Sequence, residues 1–130
     1  MNQSTLNFLV DGKALSGFDP VTVYKQEPTL GLENMTVLHN GGIYAFTSDE
    51  NKQLFESNLD KYTPKYGGYC SIAVSEGALV PANPISALIQ DGELHVFYKD
   101  ENEDTQDEWV DNPKENKEKA EEQWLLLNNK

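Results

Sequence analysis

Residues 62–77, read as Tyr62-Thr-Pro-Lys-Tyr66-Gly-Gly-Tyr-Cys70-Ser-Ile-Ala-Val-Ser-Glu-Gly77, organise the reading of the whole chain. They hold the only cysteine, the Gly67-Gly68 pair, and Tyr62, Tyr66 and Tyr69. A glycine pair gives the backbone access to positive φ and lets it approach another group closely. Ser71 to Glu76 fits a short helix closed by Gly77 just past its last turn. Cys70 then stands at or just before a helix N-terminus, where unpaired N–H groups favour a thiolate. The competing reading is a buried, inert thiol that serves as a small apolar side chain.

Upstream, Phe8–Val10 is a short apolar run that predicts an edge strand, followed by a turn at Asp11-Gly12. Asp19-Pro20 predicts a helix start, with an acidic cap and proline at the first helical position, and Pro28 limits that helix to two turns. Met35–Phe46 reads as a hairpin: two β-prone runs flank Asn40-Gly41-Gly42, which is tight-turn chemistry. Ser48 caps a helix predicted over 49–58, with Leu54, Phe55 and Leu59 as its inward stripe. Pro64 stops it from running on.

Downstream, Ala78–Pro84 reads as a loop. A second hairpin follows, Ala87–Gln90 and Glu93–Tyr98 about an Asp91-Gly92 turn. Leu94, Val96 and Tyr98 share one face, His95 and Phe97 the other. Lys99–Glu108 is highly charged and reads as solvated. Asn112-Pro113 opens the last helix, which Ala120, Trp124 and Leu127 dock at i, i+4 and i+7, with Trp109 as a further anchor. No solenoid-type repeat and no interdomain linker is legible. The expectation is one α+β domain over 1–130, with two hairpins and a C-terminal helix docked by Trp124.

Composition narrows the function. The chain has 130 residues, ten lysines, no arginine and a net charge of −12. Without arginine, and with that charge, it is a poor ligand for nucleic acid or anionic lipid. No apolar run approaches the roughly 20 residues needed to cross a bilayer, so no membrane insertion is expected. A single cysteine excludes an internal disulfide and any CxxC motif. The first residues lack the charged and apolar regions of a signal peptide, which leaves a cytoplasmic chain or one whose leader has been removed. GxSxG, HExxH, phosphate-loop and dinucleotide signatures are all missing, so a conventional hydrolase is not expected.

Ala14–Val21, Gly42–Ser48 with Asn51 and Phe55, Lys61-Tyr62 and above all Tyr66–Ser75 resemble a YHS-domain protein, of the small stand-alone bacterial type. The resemblance runs on through Asp91–Leu94 and from Trp109 to Trp124. It implies a small α+β domain around a hairpin-plus-helix unit, export to the periplasm, and an association with heavy metals. In that subfamily a cysteine, or selenocysteine, stands at the place of Cys70, which implies redox or soft-metal chemistry. Metal-associated relatives carry cysteines where this chain has Ser16, Thr47 and Asn51, so a thiolate cluster from that half is not expected.

Three functions follow. The favoured one is a soft metal, copper or zinc, bound through Cys70 with help from His39 or His95 and from Tyr66 and Tyr69, beside Gly67 and Gly68. The second is a thiol-redox role with Cys70 as nucleophile; lacking a resolving cysteine, it needs an external thiol. It is the only route to an enzyme here. The third is a non-catalytic protein-interaction module, with an exposed aromatic face near Tyr66 and Tyr69. For each histidine a surface or hydrogen-bonded role competes with metal ligation, because neither HxH nor HxxxH spacing is present. Asp100, Asn102 and Asp104 resemble the opening of a calcium loop, but Thr105 and Asp111 stand where glycine and glutamate belong, so a solvated loop is expected.

Overall fold

The computed structural model describes residues 6–128. The first residues, on which the leader reading partly falls, lie outside that range. The fold is α+β: the described residues form six strands in two sheets, with six α-helices and two short 3-10 turns around them. Strands β1 (Leu9–Val10) and β2 (Lys13–Ala14) join β3 (Leu32–His39) and β4 (Gly42–Phe46) in a sheet of order β1-β2-β4-β3. Strands β5 (Asn83–Gln90) and β6 (Glu93–Phe97) form a separate antiparallel hairpin. Both hairpin turns have two residues at positive φ, Asn40 and Gly41 (51° and 82°) and Asp91 and Gly92 (54° and 77°). That geometry follows the right-handed twist of the strands it joins.

Helix α1 (Pro20–Tyr24) starts under the Asp19 cap as the sequence predicts. Ser48 caps α2 (Asp49–Ser57), its hydroxyl accepting from the Asn51 N–H. That helix ends one residue early because Asn58 is non-helical (φ −142°). Leu59, expected on the buried stripe, opens a separate turn, α3 (Leu59–Tyr62), and is exposed. Helix α4 (Ser71–Ser75) follows Cys70 and closes at Gly77 (φ 83°). The loop predicted over 78–84 is shorter, since β5 begins at Asn83.

The charged stretch 99–108, expected to be solvated, is partly folded in. Asp104 accepts from the Ser86 hydroxyl and the Gln106 N–H, Thr105 reaches Cys70, and α5 (Gln106–Val110) carries Trp109 into the interior. Polar side chains there face inward because the backbone around them supplies partners, which charge counting cannot reveal. Helix α6 (Pro113–Asn128) docks through buried Ala120 and half-buried Trp124 and Leu127.

The two hairpin units repeat. Residues 15–46 and 66–97 share element bounds and strand register at a constant offset of 51. The tight turns before the helices share positive φ at Leu15 and Tyr66 (54° and 56°), Ser16 and Gly67 (52° and 63°), and Gly17 and Gly68 (87° and 82°). Asp19 N–H donates to Thr29 O as Cys70 N–H donates to Val80 O, and Phe18 bridges Leu30 as Tyr69 bridges Pro81. Strand boundaries, the ladder and even the irregularity, between Leu32 and Thr36 and between Asn83 and Ala87, coincide. Past the hairpins the offset becomes 54: Phe55 packs on Tyr44 and Phe46 as Trp109 packs on His95 and Phe97. Between 15–46 and 66–97 only Gly17/Gly68, Val23/Val74, Gly41/Gly92 and Phe46/Phe97 are identical, which hides the repeat from sequence reading.

The units stack head to tail. The first core holds Val21, Val23, Phe46, Phe55 and Tyr62 of the first unit together with Ala87, Leu94 and Val96 of the second hairpin. The second core holds Tyr66, Cys70, Val74, Phe97 and Trp109, closed by Ala120 of α6. The β5–β6 hairpin thus gives one face to each core, and α6 covers the α4 side that has no third unit to bury it.

Candidate functional site

Cys70 sits immediately before α4, and its N–H donates to Val80 O at 2.9 Å. Its side chain is 1 % exposed and lies among Ile72, Val74, Phe97 and Trp109. The Sγ is 3.4 Å from the Thr105 hydroxyl, which itself donates to Tyr98 O at 2.8 Å. Thr105 has one hydroxyl proton and it is committed, so within this pair the thiol is the donor. No side chain caps α4.

The equivalent place in the first unit holds an anion. Asp19 is fully buried, and one carboxylate oxygen accepts from the Val21 and Thr22 N–H groups at 2.8 and 3.4 Å. The other accepts from the Thr47 N–H, the Thr47 hydroxyl and the Asn51 amide at 2.8, 2.9 and 3.0 Å. Five donors on one carboxylate meet the usual condition for burying a charge. Thr47 and Asn51 tie the Asp19 cap to α2.

The two histidines lie in different cores. His39 packs half-buried and edge-on against Phe55, with Tyr44 nearby. His95 is fully buried between Trp109 and Tyr66, its Nδ1 3.0 Å from the Ser71 hydroxyl. Its Nε2 has no partner, so one ring nitrogen goes unsatisfied in either neutral tautomer. Burial lowers its pKa to about 4, opposed in part by the Glu93 carboxylate. Among the described residues no three His, Cys, Asp or Glu side chains gather to hold a metal ion.

Tyr66 is buried, and the other side-chain surroundings of the turn are polar. Its hydroxyl donates to Glu121 at 2.8 Å, and burial together with that carboxylate raises its pKa well above the usual phenol range. Lys65 bridges Glu93 and Glu121, and Lys117 bridges Glu93 and Asp91. Burial alone would raise the Glu93 carboxyl; the hydrogen bond from Lys117 and the charges of both lysines leave it below the ordinary value. A cleft of about 410 Å³ opens here, lined by Lys65, Tyr66, Gly67, Glu93 and Trp124 among others. Gly67 fits because a Cβ would lie 2.0 Å from the Leu6 carbonyl oxygen, while half-buried Tyr69 donates its hydroxyl to Asn7 O. Gly68 stands at φ 82° as the turn requires.

The structure therefore brings Tyr66 and Gly67 to a cleft, puts Cys70 in the interior toward Thr105, and leaves His39 in the other core. Thr105, Ser71, Glu93, Lys117 and Glu121 complete these surroundings without having been singled out. Their only sequence signal is position: Glu93 and Asp91 at the second hairpin turn, Lys117 and Glu121 four apart on α6. The exposed large hydrophobic side chains among the described residues are aliphatic, so the aromatic face expected near Tyr66 and Tyr69 is not there. No described helix is long and apolar enough to cross a membrane. Compared with known proteins, the chain matches no family model, no curated protein and no solved structure.

Proposed function

We propose that the chain is a YHS-type binding module that acts through surface contact, with Cys70 as an interior side chain. The observation that carries this reading is the state of the thiol: buried in an apolar core and spent as a hydrogen-bond donor to Thr105. A reactive nucleophile needs the opposite, an accessible sulfur in electropositive surroundings, and a soft-metal ligand needs the thiolate, which has no proton to donate. A second reading, copper or zinc binding or redox chemistry at Cys70, has one observation in its favour. The equivalent place in the first unit accommodates a carboxylate, and the first N–H groups of α4 have no side-chain cap to compete for them.

The test is the reactivity of Cys70 with a disulfide reagent in the native protein and in urea. Protection by the fold predicts native modification at least ~100-fold slower, since attack must await opening of the second core. Fast native modification, with copper(I) or zinc affinity lost in Cys70→Ser, would overturn the surface-module reading in favour of the second.

A further inference from the structure

We propose that the outer face of the β3–β4 hairpin is the surface through which two copies of this chain pair. The register places Lys13, Ile43 and Leu38 in one row across the sheet, with Ala45 and Thr36 in the next. Leu38 is 73 % exposed and Leu30, beside Gly17, is 60 % exposed. Leu30 lines a groove of about 430 Å³ together with Lys13, Glu33, Thr36 and Ile43. Three exposed aliphatic side chains stand on or beside this face, Leu38 and Ile43 on the hairpin and Leu30 just before it. Contiguous apolar surface of that kind marks interaction sites.

The repeat shows what this face is built for. The same rows in the second unit are Leu94 and Ile89, then Val96 and Ala87. There they are packed against α1 and α3 of the first unit, with the Tyr24 hydroxyl donating to Gly92 O. One copy of the face is thus an interior interface, while among the described residues the other leaves Leu38 and Ile43 exposed, with Ala45 of the next row buried beside Gly31. Continued head-to-tail stacking is closed, because α1 is already used by β5–β6 and its counterpart α4 is covered by α6. What remains is pairing of the free face with itself. Lys13 and Glu33 border the groove with opposite charge. A two-fold axis through the face brings Lys13 toward the partner's Glu33 and the reverse, the self-complementarity an isologous interface requires. β3 is the outermost strand, but its irregularity between Leu32 and Thr36 breaks the ladder, which favours face-to-face over edge-to-edge pairing.

This rests on the surface-module reading and names its partner. Two copies at −12 each repel, so pairing strengthens as salt screens them, whereas a basic partner would be lost. Sedimentation equilibrium of the full chain, from about 1 to 500 μM in low and high salt, tests it. The expected result is a monomer–dimer equilibrium that tightens with salt. Leu38→Lys should weaken it at least ~10-fold. Lys13→Glu should weaken it too, and adding Glu33→Lys should restore it, with circular dichroism confirming that each variant is folded. A chain that stays monomeric throughout, or a dimer indifferent to Leu38→Lys, overturns the proposal. Monomeric behaviour with an unreactive native Cys70 removes this interface alone and leaves the surface-module reading standing. A dimer with a fast-reacting Cys70 does the reverse.

Discussion

Asp19 accepts hydrogen bonds from three separate segments: its own helix α1, the residue after β4, and α2. Removing the carboxylate leaves buried donors without a partner as well as an uncapped helix. Asp19→Ala is therefore expected to cost about 3 kcal/mol or more, taking a lost cap with at least one stranded buried donor. At the equivalent place Cys70→Ser should stay within ~1 kcal/mol, since a hydroxyl can take over the donation to Thr105. Urea unfolding with unchanged slope measures both, and equal losses would contradict the division of roles. The sequence made the cap legible, because Asp-Pro before an apolar run is a local pattern. The other half of the knot was not, because Thr47 and Asn51 meet Asp19 only after the hairpin has closed.

The two turns that precede α1 and α4 offer an internal control on backbone shape. Ser16 and Gly67 share left-handed φ (52° and 63°), yet Ser16 carries a Cβ there, whereas one on Gly67 would lie 2.0 Å from the Leu6 carbonyl oxygen. Crowding, not φ alone, should then dominate. Gly67→Ala is expected to destabilise by about 2 kcal/mol or more and to free the segment that Phe8 N–H pins to Gly67 O, whereas Ser16→Gly should change stability by less than ~1 kcal/mol. Thermal midpoints decide it, with hydrogen exchange at Phe8 reporting the local release. Most elements here were readable because their signals are short-range: Asn-Gly and Asp-Gly turns, Ser48 and Asp19 caps, the docking stripe of α6. Their duplication was not, since the matched positions trade Tyr44 for His95 and Asp19 for Cys70 while keeping only geometry. The inward turn of Asp104, Thr105 and Gln106 escaped for a related reason: their partners Ser86, Ala87 and Cys70 lie on other elements.

For the molecule as a whole, the weakest joint under acid is the one imidazole sealed in the second core. His95 occupies the place of Tyr44, where burial raises a phenol to about 12 and so keeps it neutral at any moderate pH. An imidazole in the same setting is neutral only above about 4, while in the unfolded chain it titrates near its ordinary 6.5. Between those values the unfolded state binds a proton that the folded state refuses, so stability falls as pH drops from about 6.5 to 4 and the effect levels off below. The full displacement corresponds to roughly 3 kcal/mol. Glu93 and Glu121 favour the charged ring, while Lys65 and Lys117 oppose it, so the neighbouring charges partly cancel and desolvation sets the sign. Glu93, held below its ordinary 4.5, adds a separate loss that begins only as pH falls through the carboxylate range. His95→Phe should therefore flatten the wild-type decline between pH 6.5 and 4.5 and leave the steeper acid limb in place. Changes in the −12 net charge act on both proteins alike and cancel in the comparison. Urea midpoints at pH 7, 5.5 and 4.5 provide the reading, and a variant whose decline runs parallel to wild type would show that His95 is not the group responsible.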